Sequence, residues 1–306
     1  MKKNQLGNSD ISISELTLGC MSLGADNKAA TTIIDQAIDM GVNHLDTADL
    51  YEFGANEEIV GEALKGRRNQ VVLTSKVGNH FDKDKKDWFW DPSEKHIKEG
   101  IKASLHRLQT DYIDFYMLHG GTIDDPIDES IGAFEDLKKE GLIRAYGISS
   151  IRPNVIREYV KRSNIDGVMM QYSLLDRRPE EEVLDLLKEN NISVLARGPL
   201  AKGMLSNNAA EQIAKKGADG FLDYSHEELA SVHRLLTEKL ELEESLNTVA
   251  LKYVLKHPAV TSAVFGASSP EQVIENTSAN FTNALSDEVY QTLKGITKAN
   301  KYEKHR

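Results

Sequence analysis

The chain has a single cysteine, Cys20, in 306 residues. That excludes an intramolecular disulfide framework and any metal site built on several thiolates. It has no apolar run near the ~18 residues needed to cross a bilayer. Its first residues, Met1-Lys2-Lys3-Asn4-Gln5, turn polar at once and reach Asp10 without the apolar core of a secretory signal. A basic excess is missing too: net charge is −11, which argues against nucleic acid and anionic membranes as general partners. Internal repeats, low-complexity tracts and domain linkers are not found. Hydrophobic residues at 40% and charged residues at 28% leave an ordinary folded, cytoplasmic protein, read as one domain over residues 1–306. Any anionic ligand must find a local cluster of donors, because the field of the whole molecule repels it.

What is present is a rhythm. Strand-like runs occur at Leu16–Gly19, Asn43–Thr47, Val71–Lys76, Tyr112–His119, Ala145–Ser149, Gly167–Tyr172, Ser193–Ala196 and Ser262–Gly266. Several are continuously apolar, as Val71-Val72-Leu73 is, which suits strands of a parallel sheet buried on both faces. Helical patterns lie between them. Asp91-Pro92-Ser93-Glu94 reads as a cap, a first-turn proline and an acidic third residue, ahead of Ile97, Ile101, Leu105 and Leu108 on one face. Ser269-Pro270-Glu271-Gln272 repeats that logic, and Gly41 and Gly141 end helices just before strands.

Eight such units call for a closed barrel or an open doubly wound sheet. The open sheet would carry G-x-G-x-x-G after its first strand, and this chain has Leu18-Gly19-Cys20-Met21-Ser22-Leu23-Gly24 instead. The expected fold is therefore an α/β (β/α)8 TIM barrel. A short hairpin over Asn4–Ile13 would plug its N-terminal end. Two longer segments, His80–Trp90 and Leu200–Ser225, are expected as loops on the C-terminal face, where barrel enzymes hold their sites.

The polar residues at the strand ends form a short set: Asp46 and Tyr51, Lys76, His119, Ser149 and Ser150, and Gln171. A phenol ordinarily ionises near pH 10, and an adjacent ammonium stabilises the phenolate left when it gives up a proton. Tyr51 beside Lys76, with Asp46 holding the lysine and His119 completing the donors, suits a reaction that creates an alkoxide needing a proton. Hydride delivery to a carbonyl is such a reaction.

The same residues carry a family resemblance along nearly the whole chain. Gly41-Val42-Asn43-His44-Leu45-Asp46-Thr47-Ala48-Asp49-Leu50-Tyr51, then Asn56-Glu57-Glu58-Ile59-Val60-Gly61, Leu73-Thr74-Ser75-Lys76 and Ser104-Leu105-His106-Arg107-Leu108 stand in order. Asp111-Tyr112-Ile113-Asp114 ending at His119, Gly147-Ile148-Ser149, Gln171-Tyr172-Ser173 and Gly266-Ala267-Ser268-Ser269-Pro270-Glu271-Gln272 with Asn276 follow. The chain resembles the aldo-keto reductases, bacterial branch. The resemblance implies NADPH-dependent reduction of a small aldehyde or ketone without metal, with NADH as the other candidate cofactor. Tyr51 would be the acid, supported by Lys76, Asp46 and His119. Ser149 and Gln171 would hold the nicotinamide carboxamide, and Pro199, Leu200, Lys202 and Gly203 the pyrophosphate. Gly266, Ser268, Gln272 and Asn276 would meet the adenosine phosphate at a helix N-terminus. Trp88 and Trp90 are candidates for the substrate side, or for covering the barrel rim.

Three positions depart from the family pattern. Ser150 replaces the usual asparagine after the carboxamide-binding serine. Many relatives place an aromatic residue near Arg197, where it stacks on the nicotinamide. Ser268 stands where many carry a basic side chain for the 2′-phosphate, so Lys202, Lys215 or Lys216 would have to substitute. Other functions remain open from the residues alone: a cofactor-sensing protein with little turnover, a Schiff-base lyase on Lys76, or a metal hydrolase using His44, Asp46 and His119. Oligomeric state is open as well.

Overall fold

The computed structural model describes residues 1–239, 244–278, 281 and 283–306. Twelve strands are found among them: β1 (Lys3–Gln5), β2 (Ser12–Ser14), β3 (Leu16–Gly19), β4 (His44–Asp46), β5 (Val72–Val77), β6 (Asn79–Asp82), β7 (Asp87–Trp90), β8 (Ile113–Leu118), β9 (Ile143–Ser149), β10 (Gly167–Gln171), β11 (Ser193–Arg197) and β12 (Val260–Gly266). Eight of them, β3, β4, β5, β8, β9, β10, β11 and β12, close into a parallel barrel, the last strand pairing with the first. These are the eight strands expected from the apolar runs, each end within two residues. Helices follow them on the outside, and no helix among the described residues is long and apolar enough to cross a membrane.

Side chains alternate across the barrel wall, as strand geometry requires. Phe115 and Met117 of β8 point inward and join Val72, Ala145, Met169, Leu195 and Val264 in one buried cluster. Tyr116 and Leu118 belong to the larger cluster beneath the helices. The hairpin of β1 and β2 completes the inner cluster with Leu6, Ile11 and Ile13, so it plugs the N-terminal end. Its turn demands glycine: Gly7 has φ +53, and a Cβ there would stand 2.2 Å from the Asp166 carbonyl oxygen. Asn4 Nδ2 donates to the Thr261 carbonyl at 2.9 Å, and Gly7 N to Ser193 Oγ at 2.8 Å.

A polar layer lies across β12, β3, β4 and β5. His44 Nδ1 lies 2.7 Å from Thr17 Oγ1 and its Nε2 2.6 Å from Thr74 Oγ1, while Thr17 and Ser262 share a 2.6 Å contact. Burial, with Lys76 adding to it, holds the His44 imidazole neutral down to about pH 3. Two residues further along, on the same faces of β4 and β5, come Asp46 and Lys76.

Three details differ from the sequence expectation. The segment His80–Trp90 is not a loop. It forms the antiparallel pair β6–β7, with Asn79 opposite Trp90 and Asp82 opposite Asp87. β7 is largely exposed and β6 only half-buried, so no burial pattern marked them. Its turn is built by Asp82, whose Oδ1 accepts from the amides of Asp84 and Lys85. The segment Leu200–Ser225 carries a short helix, Ala209–Lys216, after a tight turn at Ala201–Gly203. The helix Glu94–Leu108 is capped by Ser93 Oγ, which accepts from His96 N, while Asp91 sits before the cap and accepts from Ser93 N. Proline at position 92 therefore precedes the helix, where its missing N–H costs nothing.

Candidate active site

The C-terminal ends of the barrel strands open into a cleft of about 1120 Å³. Asp46, Tyr51, His119, Ser149, Ser150, Gln171 and Arg197 line it from successive strands. Pro199, Leu200, Lys202, Gly203, Gly266, Ser268, Gln272 and Asn276 line its extension, and Trp88 and Trp90 its opposite side. Lys76 lies beneath the cleft wall, fully buried.

Lys76 organises the buried end. Its Nζ donates to Asp46 Oδ2 at 2.9 Å, to the Thr47 carbonyl at 2.7 Å and to Tyr51 Oη at 3.3 Å, and lies 2.8 Å from Asp46 Oδ1. Burial opposes its charge, but Asp46 and Tyr51 more than offset that, so its pKa stands above the ordinary lysine value. It stays an ammonium, which is the wrong form for a Schiff-base nucleophile. Burial raises the Asp46 carboxyl above its ordinary value, with Lys76 and Arg197 pulling it back.

His119 packs edge-on against the Tyr51 ring, centroids 5.8 Å apart. Burial, then the charges of Lys76 and Arg197, bring its pKa down to about 3. The imidazole is neutral near pH 7, and its buried Nδ1 has no hydrogen-bond partner. A neutral imidazole can orient an oxygen but is a poor acid. His44 does not join this constellation: both of its ring nitrogens are engaged by threonines one layer down. The three residues needed for a metal hydrolase are thus not brought together.

Tyr51 is held by strained backbone. Glu52 and Phe53, directly after it, have φ of 48 and 52, and Gly54 has φ 92. Non-glycine residues in this region cost on the order of 1–3 kcal/mol each and persist only where the surroundings enforce them. Here a buried set does so. Arg107, from the helix Glu94–Leu108, crosses close beneath Gly54, where a Cβ would lie 2.9 Å from its Cδ. Its Nε donates to Glu57 Oε2 at 2.7 Å, and Ser75 Oγ donates to Glu57 Oε1 at 2.5 Å. Asn56 accepts from Thr47 Oγ1 at 2.6 Å and donates to the Cys20 carbonyl at 2.8 Å. Sequence reasoning placed Asn56, Glu57 and Arg107 in motifs without giving them a role. Their pairing across 50 residues is visible only in three dimensions. Asp49 lies in the same buried region, where burial, then the charge of Glu57, raises its carboxyl well above the ordinary range.

The other end of the cleft is polar and open. Arg197 Nη1 donates to Gln171 Oε1 at 3.4 Å. Ser150 Oγ accepts from Arg152 N at 3.2 Å. Lys202 sits at φ 58 in its tight turn with Nζ 5.8 Å from the Phe221 ring, and Lys216 donates to the Lys202 carbonyl at 3.1 Å. Lys216 reaches the cleft and Lys215 does not line it. At the helix Pro270–Thr277, capped by Ser269, Ser268 N and Oγ both donate to Gln272 Oε1, at 2.8 and 3.2 Å. Asn276 Oδ1 accepts from Asn247 at 2.7 Å.

Trp90 both lines the cleft and covers the rim. Its ring lies over Gly78 and Gly120, where a Cβ would approach it to 2.7 and 3.2 Å, and its Nε1 donates to Asp125 Oδ1 at 3.0 Å. Trp88 is 52% exposed at the cleft mouth.

Residues 15–298 match the sequence pattern of the aldo/keto reductase family. An uncharacterized oxidoreductase of Bacillus subtilis, YqkF, is 52% identical over 100% of both chains. The NADH-specific methylglyoxal reductase of Escherichia coli is 34% identical, covering 94% of this chain and 95% of its own. Among solved structures, the holo form of the aldo-keto reductase AKR11C1 from Bacillus halodurans superposes with a TM-score of 0.92 at 53% identity, over 100% of this chain and 99% of its own. The apo form of that protein superposes with a TM-score of 0.84.

Proposed function

The chain belongs to the aldo/keto reductase family of NAD(P)H-dependent oxidoreductases, and from that premise we propose that it reduces a small aldehyde or ketone with NADPH, Tyr51 supplying the proton. The observation that carries this reading is the Lys76 ammonium, pinned by Asp46 and set 3.3 Å from the Tyr51 hydroxyl beside the cleft.

The cleft suits a dinucleotide chemically. In a chain of net charge −11 it gathers Arg197, Lys202 and Lys216 along one stretch, next to a capped helix N-terminus. Arg197 and the turn at Ala201–Gly203 would hold the pyrophosphate, Lys202 and Lys216 the 2′-phosphate, Ser149 and Gln171 the carboxamide, and the helix start at Ser268, Gln272 and Asn276 the adenosine end. The bound cofactor supplies the hydride that adds to the carbonyl carbon. Tyr51 then donates its phenolic proton to the carbonyl oxygen. Lys76 stabilises the phenolate that remains, and Asp46 keeps Lys76 in place without exposing it to water. His119, neutral, donates a hydrogen bond that positions the carbonyl oxygen.

NADPH over NADH rests on Lys202 and Lys216, since the amide and hydroxyl of Ser268 are already committed to Gln272. The test of the reaction follows NADPH absorbance with an activated aromatic aldehyde. Tyr51→Phe should lose about 10²–10⁴ in rate while binding cofactor nearly as well as wild type. Wild type that binds NADPH yet reduces no member of a broad carbonyl panel would sink the proposal.

A further inference from the structure

Apart from the reacting group, three side chains from separate parts of the chain meet where the β6–β7 hairpin joins the helix Glu94–Leu108. They are His80 on β6, Asp91 just after β7, and His96 in the first turn of the helix. Each offers one ligand atom, and these atoms all lie within 4.8 Å of one another. Two imidazoles and a carboxylate form a donor set of the borderline kind that zinc and its neighbours accept.

Three further features make the cluster more than a chance meeting. The Nε2 of His96 is buried and has no hydrogen-bond partner, an arrangement that costs free energy unless something is bound there. Asp91 uses only Oδ1 in bonding Ser93 N, while its Oδ2 stands 3.7 Å from His80 Nδ1. The His80 ring stacks on those of Phe89 and His96, with centroid distances of 4.8 and 4.9 Å, which keeps it beside the cluster. Glu99 lies one turn along the helix from His96, on the same face.

We propose that His80, Asp91 and His96 form a site for one divalent transition-metal ion of the zinc type, which clasps the β6–β7 hairpin to the helix Glu94–Leu108. A tetrahedral ion with bonds near 2.1 Å would set its ligand atoms about 3.4 Å apart, so the cluster contracts by roughly an ångström on binding. His80, the most exposed of the three, is the one to turn, because its ring now lies nearly parallel to that of His96 and the two lone pairs must converge to share one ion. The contraction is transmitted to β7, whose Trp88 and Trp90 line the cleft and are the only two tryptophans in the chain.

That coincidence supplies the assay. Zinc is d¹⁰ and redox-inactive, so a zinc-dependent change in tryptophan emission reports movement of the hairpin. The purified full chain, stripped with chelator, is titrated with Zn²⁺ while emission is followed, and equilibrium dialysis gives the stoichiometry. The proposal expects one ion per chain, an emission change that saturates with it, and at least about a tenfold loss of affinity in His96→Ala, Asp91→Asn and His80→Ala. His106→Ala, which removes an exposed histidine at the far end of the same helix, should bind as wild type does. Circular dichroism and thermal unfolding check that each variant is folded, and His80→Ala, at an exposed position, keeps the test alive if His96→Ala is not. Binding unchanged in His80→Ala, or no binding up to millimolar zinc, overturns the site.

Discussion

The two ends of the cleft are built on different principles. At the reacting end the charged groups are buried and mostly paired. Lys76 is held by three acceptors, His44 by two threonines, and Glu57 by Arg107 and Ser75. At the cofactor end the cations Lys202 and Lys216 stand on a turn and a short helix, with one side-chain hydrogen bond to backbone between them. A buried ionic set tolerates no single change, because removing one partner strands the other without water. An exposed set tolerates many, because solvent replaces what is lost. On the proposed reading the chemistry would be fixed where substitution is costly, and cofactor preference written where substitution is cheap.

The contrast is sharpest at Lys76. Lys76→Met should abolish turnover at least as thoroughly as Tyr51→Phe and, by stranding Asp46, lower stability by about 3–5 kcal/mol. Adding Asp46→Asn should restore much of that stability in urea unfolding while restoring no activity. A double variant that recovers turnover would break the distinction between holding the fold and serving the reaction.

Arg107 tests the scaffold under the strained turn. Arg107→Met leaves Glu57 buried without its cation, a loss of about 3 kcal/mol read from denaturant midpoints. The rate should also fall, because Glu52 and Phe53 lose the packing that enforces their left-handed backbone. Combining it with Glu57→Gln should recover stability before rate.

Acid should act on the buried end through its two histidines. His44 and His119 stay neutral in the folded chain down to about pH 3, whereas in the unfolded chain they take up protons near pH 6.5. Between those values the unfolded state binds more protons. Stability is whole above pH 6.5 and is lost as pH falls through the window, by up to about 1.4 kcal/mol per pH unit for each histidine. His44→Gln should flatten the dependence of the urea midpoint between pH 7 and 5. An unchanged slope would show that this imidazole is not buried neutral.

The smallest effect belongs to the open end. Lys202→Ala should weaken NADPH roughly fivefold and leave NADH nearly untouched, measured by cofactor fluorescence. Equal losses for both cofactors would mean that Lys202 meets the shared pyrophosphate instead of the 2′-phosphate.

The same division governs what the sequence made legible. The eight barrel strands announced themselves because burial on both faces demands unbroken apolar runs. Asp46, Tyr51, Lys76 and His119 could be listed because barrel topology brings strand ends together. The β6–β7 hairpin stayed hidden because its strands are exposed and its turn, Lys83-Asp84-Lys85-Lys86, reads as a charged loop. The helix Ala209–Lys216 was lost among glycines at 203, 217 and 220. Ser93 and Asp91 both have capping chemistry, and only the backbone angle at Ser93 decides between them. The Arg107–Glu57–Ser75 chain joins three segments, and no local pattern encodes it.

The plug at the barrel floor has a consequence for the order of events during synthesis. Leu6, Ile11 and Ile13 leave the ribosome well before Thr261, the residue that Asn4 bonds across 257 positions. One of the two partners of β3, the first barrel strand, is β12, the last. The opening segment must wait, its apolar side chains uncovered, until nearly the whole chain is available to receive it. Contacts of such long range slow folding and lengthen exposure to aggregation. The plug is thus translated well before the strands that seat it, and Gly7 can meet Asp166 only when the chain has been made that far.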